Sequence, residues 1–204
     1  MLSEGDEGFY QALRLRNDLS RAGGLQPQAS IIVPSGERHY VDVPFRQEMH
    51  VGKEVNPHTY FRLRPKWKQD PLKALALSPI TLTVNGLSRL IAASRNTQPA
   101  HWIFLSMGRF FLTDSEIWMR QDNVVPAPHW TGLEYRHISQ VSLKKDSLHV
   151  SATRGSQQTR FLLPVDAAAW CYVALQYLAF GNRNPELKIP HGFHDRLSAD
   201  GRTL

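Results

Sequence analysis

The stretch Asp166-Ala167-Ala168-Ala169-Trp170-Cys171-Tyr172-Val173-Ala174-Leu175-Gln176-Tyr177-Leu178-Ala179-Phe180-Gly181 decides the fold, because it reads as a helix from end to end. Asp166 is placed to cap it, the three alanines are strong helix formers, and Gly181 supplies the left-handed stop. Trp170, Val173, Ala174, Tyr177 and Leu178 recur at helical spacing and define one apolar face. The other side carries Cys171, Leu175 and Ala179, so both sides of this helix are expected to be covered. What precedes it is β-patterned. Residues 102–106, 109–113 and 116–120 are short runs rich in aromatic and branched residues, separated by the turn pairs Met107-Gly108 and Asp114-Ser115. A loop is expected over 121–132 with Pro126 and Pro128, then a strand over 133–143, where Tyr135, His137, Ser139 and Val141 alternate with Arg136, Ile138 and Gln140. Lys144-Lys145-Asp146 and Arg154-Gly155-Ser156 are turns that deliver the chain into strands at 147–152 and 159–163.

The N-terminal half is less regular. Residues 4–22 read as an amphipathic helix, capped by Ser3 and closed by Gly23-Gly24, with Glu4, Asp6 and Glu7 at its positive end. Phe9, Ala12, Leu13 and Leu19 share its apolar side. Short β-runs are expected at 30–33, 40–45 and 80–84, a short helix at 87–93, and irregular chain with four prolines over 46–79. The organisation this predicts is an N-terminal helix (1–24), an irregular region (25–98), a β-rich domain with its helix (99–181) and a loosely attached polar tail (182–204).

Short antiparallel strands followed by one apolar helix form an α+β plan, in which a curled sheet or partly open barrel needs a lid. On this order the C-terminal half resembles the pleckstrin-homology-like superfamily, particularly the bacterial PH-like and GRAM-type domains. The resemblance is carried by Gly108-Arg109-Phe110-Phe111-Leu112-Thr113, by Ile117-Trp118-Met119, and by the run from Leu133 to Val141. Leu148-His149-Val150, Arg160-Phe161-Leu162-Leu163 and the helix bearing Trp170 complete it. It implies a seven-stranded barrel, of which residues 101–163 supply about six strands; the seventh would come from 40–45 or 80–84. It also implies a scaffold that binds peptides, lipids or partner domains. The lipid-binding basic motif of classical PH domains is not matched, because the hairpin at 106–109 offers only Arg109.

The 204 residues include 42% hydrophobic and 21% charged side chains, which excludes wholesale disorder, and the length suits one sizeable core or one domain with an appendage. The longest apolar run, 167–180, falls short of the roughly 18 residues of a membrane span. The first ten residues are too acidic and polar for a cleavable signal. A single cysteine, Cys171, cannot form an internal disulfide, and a reducing compartment, the cytoplasm, is the expectation. Formal net charge is +6, and its densest patch is Arg62, Arg64, Lys66, Lys68 and Lys73 opposed by Asp70 alone. Tyr60, Phe61 and Trp67 interleave these cations. Such a segment can grip phosphates and stack on bases, and equally it can be an edge strand kept soluble by its charges. Pro65 has no N–H and places it at an edge or in a loop. The candidate anion-binding residues are therefore Tyr60, Arg62, Arg64, Lys66, Trp67 and Lys68.

No catalytic constellation is legible. Gly-x-Ser-x-Gly and Walker-type motifs are missing, and no cofactor is implied. Glu4, Asp6 and Glu7 suit a helix start, and Asp114 with Glu116 suits a turn. His191, His194 and Asp195 lie close in sequence but match no closed zinc site, so no metal is expected. His129 reads as a loop residue and His137 as a sheet-face residue. Cys171, on an apolar helix, reads as a small hydrophobe rather than a nucleophile. The expected function is a non-catalytic binding or adaptor module that recognises a protein or an anionic ligand, including a lipid headgroup. Two alternatives are nucleic-acid binding through 60–73 and a structural subunit of a larger assembly. The last draws on the exposed-looking aromatics Trp102, Trp118 and Trp130.

Overall fold

The computed structural model describes residues 2–21, 23–27, 36–51, 101–123, 128–145, 147–152 and 158–204. The expected elements at 30–33, 80–84 and 87–93 and the basic segment 60–73 lie outside them. The chain is α+β. Helix α1 (Glu4–Ser20) is followed by strands β1 (His39–Val51), β2 (His101–Thr113), β3 (Glu116–Gln121) and β4 (His129–Glu134). Then come β5 (Ile138–Lys144), β6 (Ser147–Ala152), β7 (Gln158–Leu162), helix α2 (Val165–Phe180) and helix α3 (Phe193–Ala199). The seven strands form one antiparallel sheet in the order β4-β3-β2-β1-β7-β6-β5. The seventh strand thus comes from the segment around 40–45.

The sheet is curled for a simple reason: all seven strands contribute to a single core. Val41 and Phe45 of β1, Phe110 and Leu112 of β2, and Ile117 and Met119 of β3 meet Leu133 of β4 there. Val141 of β5, Leu148 and Val150 of β6, and Phe161 of β7 meet them from the other half. A flat sheet could not bring its first and last strands to one cluster. β4 and β5 do not pair, and α2 covers the core with Ala168, Cys171, Ala174 and Leu175. The Gln176 side-chain amide donates to the carbonyl of Val141 at 3.1 Å and ties the helix to β5.

The helix ends differ partly from expectation. The N-cap of α2 is Pro164, whose carbonyl accepts from the N–H groups of Ala167 and Ala168, and Asp166 sits in the first turn instead. Gly181 closes α2 in the left-handed conformation as expected, with its N–H on the carbonyl of Tyr177. In α1, Ser3 caps as expected by accepting from the N–H of Asp6.

Four strand assignments change. β2 is one thirteen-residue strand, so Met107-Gly108 is no hairpin turn. β1 runs on through residues 46–51, which the sequence leaves irregular. β4 begins at His129, inside the expected loop. The expected strand over 133–143 is broken by a 3₁₀ turn at Tyr135–His137, where the buried Tyr135 hydroxyl donates to the carbonyl of Thr113 at 2.7 Å.

The largest correction concerns residues 182–204. They are no loose tail: Leu187, Phe193 and Leu197 are buried in a second core with Phe9, Ala12, Leu13 and Leu19 of α1. Ala169 and Val173 of α2 join that cluster, and Trp170 packs partly buried against both cores. The burial of α2 on two sides is as expected, but the sheet-facing row is Ala168, Cys171, Ala174 and Leu175 rather than the face centred on Trp170. The second core is locked by ion pairs. The Arg196 guanidinium donates to both oxygens of buried Asp6, at 2.7 and 2.8 Å, and Arg202 pairs with Glu7.

Candidate functional site

β1 joins the two halves of the sheet, pairing with β2 on one side and β7 on the other. Along it, Val41 and Phe45 point to the core, while Asp42, Arg46, Glu48 and His50 take the opposite face by strand alternation. β2 alternates likewise, with Phe110 and Leu112 inside and Met107 and Arg109 outside. A register shift between Gln47 and Glu48 then places Ser106 opposite Gln47, and Phe104 opposite Glu48. Leu105 is the extra residue of this bulge. Its consequence is that Phe104 and Trp102 share the outer face with Glu48 and His50, while Ser106 stays inside. There the Ser106 hydroxyl donates to Gln47 Oε1 at 2.7 Å and accepts from Gln121 Nε2 at 3.1 Å.

The outer face at this end of the sheet gathers aromatic, histidine and arginine side chains from four strands. His50 and His149 meet the Trp102 ring at centroid distances of 5.1 and 5.3 Å. The Arg160 guanidinium lies 4.3 Å from the Trp102 ring centre, and that of Arg46 lies 5.2 Å from the Phe104 ring. Both are cation–π distances. Glu48, buried between them, fixes both arginines: it accepts from Arg160 Nε at 2.8 Å and pairs with Arg46 Nε at 3.0 Å. Phe104 is 44% exposed, Met107 52%, and the Arg46 side chain 57%. Burial, then the charges of Lys144 and Arg160, hold the His149 imidazole below its ordinary pKa and favour its neutral form.

Tyr60, Arg62, Arg64, Lys66, Trp67 and Lys68 lie outside the described residues. Connectivity alone fixes where their segment attaches. The chain leaves the sheet at Val51 and re-enters at His101, and these two residues are partners in the β1–β2 ladder, next to His50 and Trp102.

The remaining sequence candidates fall apart as a group. Cys171 is fully buried, and burial pushes its thiol up to about 12, which removes the thiolate a nucleophile needs. His129 is half-buried at the start of β4, not in a loop, and burial lowers its pKa. His137 is exposed on the 3₁₀ turn rather than on a strand. Asp6 is held down at about 2, chiefly by its hydrogen bond from Arg196. Asp114 accepts from the Tyr40 hydroxyl, and Glu116 is fully buried at the first position of β3. Among the described residues no three metal-ligating side chains converge. Trp118 is buried with Phe111 against Trp130, so it is not one of the exposed aromatics the assembly reading draws on.

Sequence reasoning picked out Trp102 but missed Arg46, Glu48, His50 and Arg160. They come from distant parts of the chain and meet only because β1 pairs on both sides. Among the described residues no helix is long and apolar enough to cross a membrane. No protein-family model and no curated protein matches the chain, so the reading of this surface rests on its geometry.

Proposed function

We propose that the protein is a non-catalytic binding module of PH-like architecture whose partner is anionic. The observation that carries this is the ordered arginine–aromatic surface of Trp102, Arg160, Phe104 and Arg46 on the outer face of the sheet. Two further facts support it. The chain bears a formal charge of +6, and its densest cationic segment, with Arg62, Arg64, Lys66 and Lys68, is tethered through Val51 and His101 to the same end of the sheet. The strand order and the covering helix are compatible with the PH-like plan, and such scaffolds serve recognition more by surface than by reaction chemistry. The lone cysteine suits a reducing compartment, and the cytoplasm is the location that goes with this reading.

Retention on immobilised heparin tests the electrostatics. An anion-binding module is retained at low salt and released as salt rises from about 50 to 200 mM, because exposed cations are screened within about 10 Å. A combined Arg62→Ser, Arg64→Ser, Lys66→Ser and Lys68→Ser variant should elute earlier with an unchanged melting temperature. Passage through the column unretained at the lowest salt would remove the reading.

A further inference from the structure

We infer that the outer face of the sheet around Trp102 and Phe104 binds single-stranded nucleic acid, stacking unpaired bases on the two rings. This rests on the anionic-partner reading above and narrows it to one class of ligand and one surface.

Trp102 and Phe104 are two residues apart on one face of β2, about 7 Å along the strand. Each carries its own guanidinium: Arg160 lies 4.3 Å from the Trp102 ring and Arg46 lies 5.2 Å from the Phe104 ring. A ring that can stack on a base, with an arginine packed over it, is a pairing suited to unpaired nucleotides, and here it occurs twice in succession. His50 and His149 pack edge-on against Trp102, at interplanar angles of 60° and 88°, and hold its ring in place.

Glu48 accepts from Arg160 and pairs with Arg46, so both guanidinium groups are held before any ligand arrives. Pre-organisation lowers the entropy that binding would otherwise cost. Nothing of that kind is needed to attract a diffuse anionic surface such as a bilayer, which responds to net charge. The net charge of this patch is small, because Glu48 offsets one of its two arginines. The rings must then supply much of the affinity: Phe104 is 44% exposed and open to a base, and Trp102 is partly buried. A duplex offers its backbone and base edges but hides the base faces, so only an unpaired strand can use these rings.

The bulge at Leu105 sets which way the two rings face. Without the register shift between Gln47 and Glu48, alternation would turn Phe104 and Trp102 towards the polar inner end with Ser106. One inserted residue presents both rings outward, a typical use of a bulge near a functional surface.

The test is fluorescence anisotropy with labelled oligothymidylate and oligouridylate of about ten nucleotides, within the range a sheet-type site covers. A duplex of the same length, polyglutamate and phosphatidylserine vesicles serve as competing anions. The expected result is that the single strands bind and the duplex binds more weakly. Trp102→Ala and Phe104→Ala should each weaken single-strand binding about 5- to 150-fold, the value of one lost stack. Trp102→Phe should recover much of the loss. Arg46→Ser should flatten the plot of log affinity against log salt by about 0.7. Melting curves establish that each variant folds, and if Trp102→Ala does not, Phe104→Ala, on an exposed ring, decides. The inference is overturned if folded ring variants bind like the native protein, or if duplex binds as tightly as single strand. Binding to vesicles or polyglutamate alone overturns it while leaving the anionic-partner reading in place. Binding to none of the probes ends both.

Discussion

A Cβ on Gly108 would sit 1.9 Å from the carbonyl oxygen of Arg120, closer than any real contact. The residue lies in the middle of β2, opposite Phe45 on one side and Gln121 on the other, so neither neighbouring strand can step back without breaking a ladder. Gly108→Ala should therefore lower stability by about 3 kcal/mol, the upper end of overpacking costs. A denaturation midpoint shifted down with an unchanged slope is the expected reading, and an unmoved midpoint would refute the close approach. The same glycine explains a limit of the sequence. Between two β-runs, Met107-Gly108 has the composition of a hairpin turn, but glycine also serves wherever a second backbone comes near. Only the position of β3 decides between them. The candidate site is hidden for a related reason: Trp102 and Phe104 face outward through one extra residue at Leu105, and a one-residue shift leaves no mark on composition. Arg46 and Arg160 are 114 positions apart in the chain numbering and meet at Glu48 only through strand pairing.

Helix α2 was legible as an element but not as a packing unit. Its alanines, its glycine stop and its length are local properties, and they appear in the sequence undisguised. Its buried faces are not local. Ala168, Cys171, Ala174 and Leu175 go to the sheet, Ala169 and Val173 go to α1 and α3, and a helix apolar on both sides has no single stripe to read. The break at Tyr135–His137 escaped for a comparable reason, since alternation continues through it while the Tyr135 hydroxyl is drawn to the carbonyl of Thr113. The packing makes a prediction for α2. Leu175 is fully buried between the helix and the sheet, so Leu175→Ala should cost about 3 kcal/mol within the usual span of about 2–5. Trp170→Ala should not exceed it greatly, because Trp170 keeps part of its surface in water. Equilibrium unfolding of both variants checks the order. A Leu175→Ala protein as stable as the native one would mean that α2 does not cover the sheet.

For the molecule as a whole, the question is whether one core or two hold it. The curled sheet with α2 is one core, and α1, the other side of α2 and the chain beyond Gly181 make the second. Residues 182–204 are polar enough to read as a tail, yet three of their few apolar side chains, Leu187, Phe193 and Leu197, are all buried. Full burial of such side chains contributes about 1.5–3 kcal/mol each, so together about 5–9 kcal/mol, an upper estimate. That is comparable with the whole stability of a typical domain, about 5–15 kcal/mol. A chain ending at Asn182 would also strip Asp6 of Arg196 and leave a buried carboxylate without its main partner. The truncated protein is therefore expected to melt far below the full chain and to bind a hydrophobic dye through the bared face of Phe9, Leu13 and Val173. Acid supplies a second readout of the same contact. Asp6 is depressed from an ordinary value near 4 to about 2, so its pairing with Arg196 stabilises the full chain above pH 4 and is lost as pH falls towards 2. An Asp6→Asn variant should lack that part of the acid transition. If the truncated chain melts with the full one and binds no more dye, the second core contributes nothing and the terminal segment is the loose tail its composition resembles.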